Sequence, residues 1–312
     1  MSNIAHWLKP CLQQVQVLKK TNRLSHALLI TGADGVGQEE LAREMVKDLM
    51  CEVDQAAACG NCHSCQLMRA DTHPDFRVLD GEASSIKVDQ VRLLVRQMSQ
   101  KPQVGQNKVV LITHAQAMNI NAANAVLKAL EEPSARTYFV LTSSQSTRLL
   151  ATIRSRCLLI NVPTPTKAEV TQWLGEQPEG STLSSLFWLT TQPFRLLSLQ
   201  QQGKVSLYAN LPDQLLSMLQ GRSSVTDVLK GLDSNNIEDY CNGLAAVLHQ
   251  CICHSTGAPL DQALQAIYKA LMARLGIQSL MMRYQSLQAL KSDLQKTNLN
   301  PIMQLTHELN QW

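Results

Sequence analysis

The sequence predicts an α/β first half, a parallel sheet covered by helices on both faces, and an all-helical second half. Three observations carry that prediction. Short continuous apolar runs alternate with helix-period stretches as far as Val162, the pattern of buried parallel strands and their crossover helices. A glycine loop, with Gly32, Gly35 and Gly37, follows directly on the first of these runs. Beyond the linker Pro163-Thr164-Pro165-Thr166, no buried-strand pattern recurs.

Ala27-Leu28-Leu29-Ile30 reads as the first strand and runs straight into the glycines. Leu41, Met45, Val46 and Leu49 then recur on one face of a helix. Phe76-Arg77-Val78-Leu79 is the second strand, and 88–98 a helix striped by Val91, Leu94, Val95 and Met98. Residues 109–112 form the clearest strand, followed by a helix over 120–131 that Pro133 stops. In that helix Ala123, Val126, Leu127 and Leu130 face the core, which leaves Asn124, Lys128, Glu131 and Glu132 toward an edge. A strand at 138–141, a helix at 148–154 and a strand at 157–162 complete the half. A small helical unit occupies 167–200. From about 205 the helices are broken at Gly221, Gly231, Gly257-Ala258-Pro259 and Asn300-Pro301. Leu260, Leu264, Ile267, Leu271 and Leu275 are expected along one face of the longest helix. The boundaries are therefore 1–162, 163–204 and 205–312.

Composition narrows the function. With 312 residues the chain is long enough for about two domains. A net charge of +3 requires any nucleic-acid contact to come from a local patch. Aromatics at 4% argue against a single-strand binder built on stacked bases. No apolar run approaches the roughly 18 residues of a membrane span, and MSNIAHWLKPCLQQV lacks the layout of a secretory signal. The expectation is a cytoplasmic protein with no membrane partner. Nine cysteines, an odd number, argue against a disulfide framework.

Gly32-Ala33-Asp34-Gly35-Val36-Gly37-Gln38-Glu39 meets the phosphate-loop pattern G-x-x-x-x-G-K-[ST] at Gly32 and Gly37 and misses it at the next two positions. Such a loop works because backbone N–H groups and a helix N-terminus converge on an anion. Gln38 is neutral where lysine would meet the β/γ-phosphates, and Glu39 is negative where a hydroxyl would hold magnesium. Glu39 and Glu40 suit the helix dipole instead, by roughly 0.3–1 kcal/mol each. The strand at 109–112 runs into Thr113-His114, where a nucleotide hydrolase needs acidic residues. ATP is expected not to bind productively. Taken alone, the glycines also fit a plain strand-to-helix turn.

Cys51, Cys59, Cys62 and Cys65 are spaced C-x7-C-x2-C-x2-C. Four thiolates fill the tetrahedral shell of Zn²⁺ and leave no open position for water, so the expected zinc is structural. His63 and His73 lie close enough in sequence to substitute as ligands; free or redox thiols are the alternative.

The segment from Thr147 ends in Ser155-Arg156-Cys157 before the last strand. From the triplet alone, Arg156 fits a helix cap or a partner for Glu131 or Glu132. HALLITG, the cysteine spacing, CQLMRADTHPDF, NAVLKALEEPS, RLLATIRSRC and the helical second half together resemble the δ′-type subunits of the bacterial DNA polymerase III clamp loader. The resemblance spans most of 1–162 and is looser beyond about 205. It implies a P-loop AAA+ domain over 1–162 with a zinc module at about 51–65, a helical lid over 163–204 and a collar over 205–312. It further implies a subunit that keeps the fold without running the ATPase cycle, assembled with δ and the ATP-hydrolysing γ/τ subunits. The complex would load the sliding clamp at primed DNA. By the Ser-Arg-Cys motif Arg156 would be an arginine finger acting in trans, with Arg154 the structural arginine. Ser155, Arg156, Lys128, Glu131 and Glu132 become interface candidates; a solvated charged face is the other reading of the last three. Gln192-Pro193-Phe194-Arg195 departs from the G-S-x-R pattern of nucleotide-sensing lids, with the glycine missing and Arg195 one residue late.

Two rivals follow. A motor subunit that itself binds and hydrolyses ATP needs Gln38 to replace lysine. A nucleic-acid zinc knuckle is disfavoured because Asn61, His63 and Ser64 interleave the later cysteines and no lysine or arginine does.

Overall fold

The computed structural model describes residues 4–53, 57–82, 84–232, 236–294 and 300–312. Their contacts divide the chain into two compact units, Met1–Glu169 and Val170–Trp312.

In the first unit α1 (Lys9–Lys20) precedes β1 (Ala27–Thr31), and α2 (Gln38–Met50) leaves the glycine loop. Then come α3 (His63–Arg69), β2 (Phe76–Asp80), α4 (Val88–Met98) and β3 (Lys108–Thr113). The unit continues with α5 (Ile120–Glu131), β4 (Thr137–Ser143), α6 (Ala151–Arg156) and β5 (Leu158–Asn161). The five strands are all parallel in the order β2-β3-β4-β1-β5, so the chain builds the P-loop AAA+ sheet that the resemblance implied. Every residue of β1 and β3 is buried, which is why both read as unbroken apolar runs. On one face, Leu29, Val110, Ile112 and Leu141 pack with Val91 and Leu94 of α4, Val126 and Leu130 of α5, and Ile153 of α6. Asn119 caps α5 by accepting from the Ala122 N–H at 2.8 Å.

The helix expected at 148–154 is shorter and later. Leu149 and Ile153 are both buried at i,i+4 spacing, but the Leu149 backbone is extended (ψ 145°) and α6 starts at Ala151. A helical burial period thus spans a segment that is only partly helical.

Helix α7 (Lys167–Gly175) carries the division between the units, and helices follow it throughout the second. These are α8 (Gly180–Ser184), α9 (Pro193–Gln201), α10 (Val205–Leu219), α11 (Val225–Val228) and α12 (Ile237–Ser255). The last are α13 (Gln265–Arg274), α14 (Gly276–Leu294) and α15 (Pro301–Leu309). The expected long helix through Leu260 and Leu275 is corrected: α13 has 10 residues, and α12 and α14, at 19 each, are longer. Leu264, Ile267 and Leu271 are buried as expected. Asp261, however, starts a separate turn by accepting from the Ala263 N–H, and Gly276 (φ +73°) breaks the chain after Leu275. No helix among the described residues is long and apolar enough to cross a membrane.

Candidate functional site

The glycine loop leaves the C-terminal end of β1, where parallel sheets place their ligand crevices. Gly37 adopts φ +107°, a conformation open to glycine and strained for other residues, and it turns the chain into α2. Gln38 does not point outward. It is 7% exposed, and its Nε2 donates to Gly32 O at 2.8 Å and to Ala33 O at 2.6 Å. Both carboxamide hydrogens are spent on the loop's own carbonyls. Trp7 fixes the loop from another side, its indole Nε1 donating to Val36 O at 2.9 Å.

Glu39 approaches His114, with Oε1 3.0 Å from Nδ1, a charge contact without hydrogen-bond alignment. Burial raises the Glu39 carboxyl above its usual range, opposed by His114 and reinforced by Glu82 and Asp80. Burial likewise raises Glu40. Asp80 sits 3.7 Å from the same His114 nitrogen and accepts from the Thr113 hydroxyl at 2.7 Å. Burial works against the Asp80 charge, but Thr113, the Glu82 N–H and His114 outweigh it and hold the carboxyl below its usual range. Thr113 and His114, which the sequence marked only as lacking acidic chemistry, therefore bind carboxylates themselves. The signal available in the sequence was the pairing of β2 with β3, which sets Asp80 opposite Thr113. Beside the loop, Thr31, Ser144, Ser146, Asn161 and Thr164 line an open cleft of ≈ 310 Å³.

The four cysteines converge between α2 and α3. All four Sγ atoms lie within 4.8 Å of one another, with Cys51–Cys62 and Cys59–Cys65 each at 4.0 Å. Four sulfurs at about 2.3 Å from a tetrahedral Zn²⁺ would stand about 3.8 Å apart, so the donor set fits that ion. Gly60 turns the first knuckle with φ +75°. Backbone N–H groups already point at the sulfurs: Cys59 N to Cys51 Sγ at 3.3 Å, Cys62 N to Cys59 Sγ at 3.3 Å and Cys65 N to Cys62 Sγ at 3.4 Å. The Asn61 and Cys62 N–H groups pull the Cys59 thiol down to about 6, while burial, with Cys62, pushes Cys65 up to about 12. A divalent cation removes that conflict by favouring the thiolate at every position. His73 is not a candidate ligand. Its Nδ1 accepts from the Asp75 N–H at 3.1 Å, and its Nε2 lies 2.7 Å from Ser64 Oγ, whose hydroxyl donates to Met50 O. Asp48 of α2 anchors the module, accepting from Gln16 Nε2 at 2.8 Å and from the Ala58 N–H at 2.7 Å.

Arg156 ends α6. Its Nη2 is 2.6 Å from Glu131 Oε1 of α5, and its Nη1 donates to Thr152 O at 3.0 Å. Ser155 donates to the same carbonyl at 3.1 Å. Arg156 and Glu131 are 37% and 47% exposed. Arg154 was expected to be the structural arginine; instead it is exposed and makes no ion pair among the described residues, and Arg156 holds the local contacts. Burial pushes the Cys157 thiol up to about 11. Lys128 is exposed on α5, and Glu132 is exposed just past its end. Lys128 and Asn124 face Arg92 and Arg96 of α4 across an open groove of ≈ 680 Å³; the i,i+4 spacing puts each pair on one helix face, but not the two faces together. In the second unit, Arg195 is exposed on α9.

Loop and arginine lie at opposite ends of the sheet. Leu28 pairs with Leu158 and Thr31 with Asn161, so Arg156 precedes the N-terminal end of β5 while the glycine loop follows the C-terminal end of β1. About four residues of strand, roughly 13 Å, separate those ends.

The family described as DNA polymerase III, delta subunit, matches residues 8–166, and that described as DNA polymerase III, delta subunit, C terminal, matches 202–312. DNA polymerase III subunit delta' of Pseudomonas aeruginosa is 34% identical over 300 residues, covering 92% of this chain and 92% of that protein. The Haemophilus influenzae subunit delta' is 33% identical over 258 residues, 81% of this chain and 79% of the relative. Subunit tau/gamma of Haemophilus influenzae is 31% identical over 262 residues, 80% of this chain and 35% of the longer relative.

Proposed function

We propose a function from one premise: the chain belongs to the DNA polymerase III subunit delta' family. It is a clamp-loader subunit that keeps the AAA+ fold, does not hydrolyse ATP itself and donates Arg156 to the ATP of a neighbouring γ/τ subunit. The separation of Arg156 from the chain's own glycine loop carries this reading. A guanidinium at the N-terminal end of β5 stands away from its own crevice, where a neighbouring subunit would meet it. Guanidinium suits the task because it stays charged and forks onto two oxygens. Placed on a transferring phosphoryl group, such a residue is worth about 10³–10⁵ in rate.

The chain's own loop serves as a rigid turn in this reading. Gln38 closes it, and Glu39 with His114 occupies the region where magnesium and phosphate would sit. The zinc that Cys51, Cys59, Cys62 and Cys65 would hold supplies folding energy to a module with little core of its own. Residues 163–204 form a lid and 205–312 a collar that assembles with γ/τ and δ; the whole complex loads the sliding clamp at primed DNA.

Arg156→Ala tests this in the reconstituted complex. Assembly, read by gel filtration, should be unchanged, and DNA-stimulated ATP hydrolysis should slow. Unchanged turnover would remove the finger. The rival motor reading is tested by calorimetry of the isolated chain with Mg-ATP: no heat of binding is expected, and magnesium-dependent binding favours the rival.

A further inference from the structure

We infer that Glu131 is the resting partner of Arg156, a carboxylate that holds the guanidinium ready and must be exchanged for phosphate oxygens before the arginine acts. This rests on the finger reading above and assigns a residue that reading does not need. The guanidinium uses one N–H of each terminal nitrogen inside the chain, Nη2 to Glu131 at 2.6 Å and Nη1 to Thr152 O at 3.0 Å. Those two nitrogens form the fork that a phosphate takes. One donor on each nitrogen of that fork is thus engaged within the isolated subunit, and Glu131 holds the one that carries a charge contact.

The two contacts differ in kind. Thr152 O is a backbone carbonyl within the same helix, fixed by the turn that ends α6. Glu131 comes from α5, the last residue of that helix, and Glu132 beside it is exposed. An ion pair with both members more than a third exposed is weakly held in water. It restricts the rotamers of a long side chain but yields to a ligand with more charge. A triphosphate brings several negative oxygens to the same fork, and a carboxylate left beside them repels them. Glu131 therefore competes with the triphosphate for the guanidinium, and the exchange confines the arginine's action to the moment a neighbour's nucleotide is seated.

The test uses the reconstituted complex with sliding clamp, primed DNA and ATP. Glu131→Gln keeps the side-chain volume and an acceptor oxygen but removes the charge. It should raise DNA-stimulated hydrolysis about two- to five-fold, the scale of an exposed ion pair. The ratio of variant to parent should fall toward one as salt rises from about 50 to about 500 mM, because salt screens exposed pairs. The double variant Glu131→Gln/Arg156→Ala should match Arg156→Ala alone. A slower or unchanged Glu131→Gln complex, or an increase that persists without Arg156, overturns the inference. If Arg156→Ala itself leaves hydrolysis unchanged, the finger reading fails first; if it slows hydrolysis and Glu131→Gln does not raise it, only the exchange fails.

Discussion

At the scale of single residues, Gln38 decides what the glycine loop does. Lysine at this position extends toward phosphate; Gln38 instead turns back and donates to two loop carbonyls. Gln38→Ala should cost about 1 kcal/mol of stability, since it removes a buried side chain and both of its hydrogen bonds to the loop carbonyls, and chemical denaturation will read that loss. The sequence showed the missing charge but not the fold-back, because the direction of a side chain depends on partners that turn geometry brings close. Arg156 shows the converse. Its charge and motif were legible, and so was a pairing with Glu131 or Glu132, but which glutamate it meets is set by how α5 packs on α6. Glu40 gives a titration with a definite sign. Burial raises its folded value above the unfolded one, so its contribution is present below the unfolded pKa and lost as pH rises through the folded one. Glu40→Gln should therefore gain stability on its parent as pH rises from the ordinary glutamate range toward neutrality, seen as a denaturation midpoint that falls less with rising pH than the parent's.

At the scale of elements, strands were easier to read than helix boundaries. β1 and β3 are buried on both faces, so they appear as short unbroken apolar runs, whose length and flanking turns mark them as strands. α6 and α13 were misjudged because an apolar stripe continues past the helix that carries it, to buried Leu149 in one case and to the half-buried Leu260 and Leu275 in the other. The cysteine module is the element most dependent on a ligand. Its sulfurs and their N–H donors are arranged for a tetrahedral ion, and α3 is only seven residues long. Protein purified without chelator should carry about one zinc per chain. Stripping it should speed amide exchange over 57–69 more than in β3 or β4. Equal protection in the stripped protein would show that the module holds without metal.

At the scale of the whole molecule, the family and the fold class were both legible from the closely placed motifs of 1–162, whereas the strand order β2-β3-β4-β1-β5 came only with the structure. The three-part division was drawn from the end of the strand pattern at Val162, the Pro163–Thr166 linker and the family resemblance, whereas the packing groups Val170–Trp312 as one unit; the separation of lid from collar is a proposal about how these helices work in the assembly. The basic groove between α4 and α5 went unread, since its charges come from two helices that only the sheet brings together. The central claim is one of direction: the chain gives a positive side chain to a neighbour's triphosphate and holds none of its own. The most direct test is a structure of the ATP-bound complex that locates each nucleotide relative to Arg156. The prediction is a triphosphate on the adjoining γ/τ subunit within hydrogen-bond distance of the Arg156 guanidinium, and none on the loop from Gly32 to Gly37. A nucleotide seated on that loop, with Arg156 facing solvent, would contradict it.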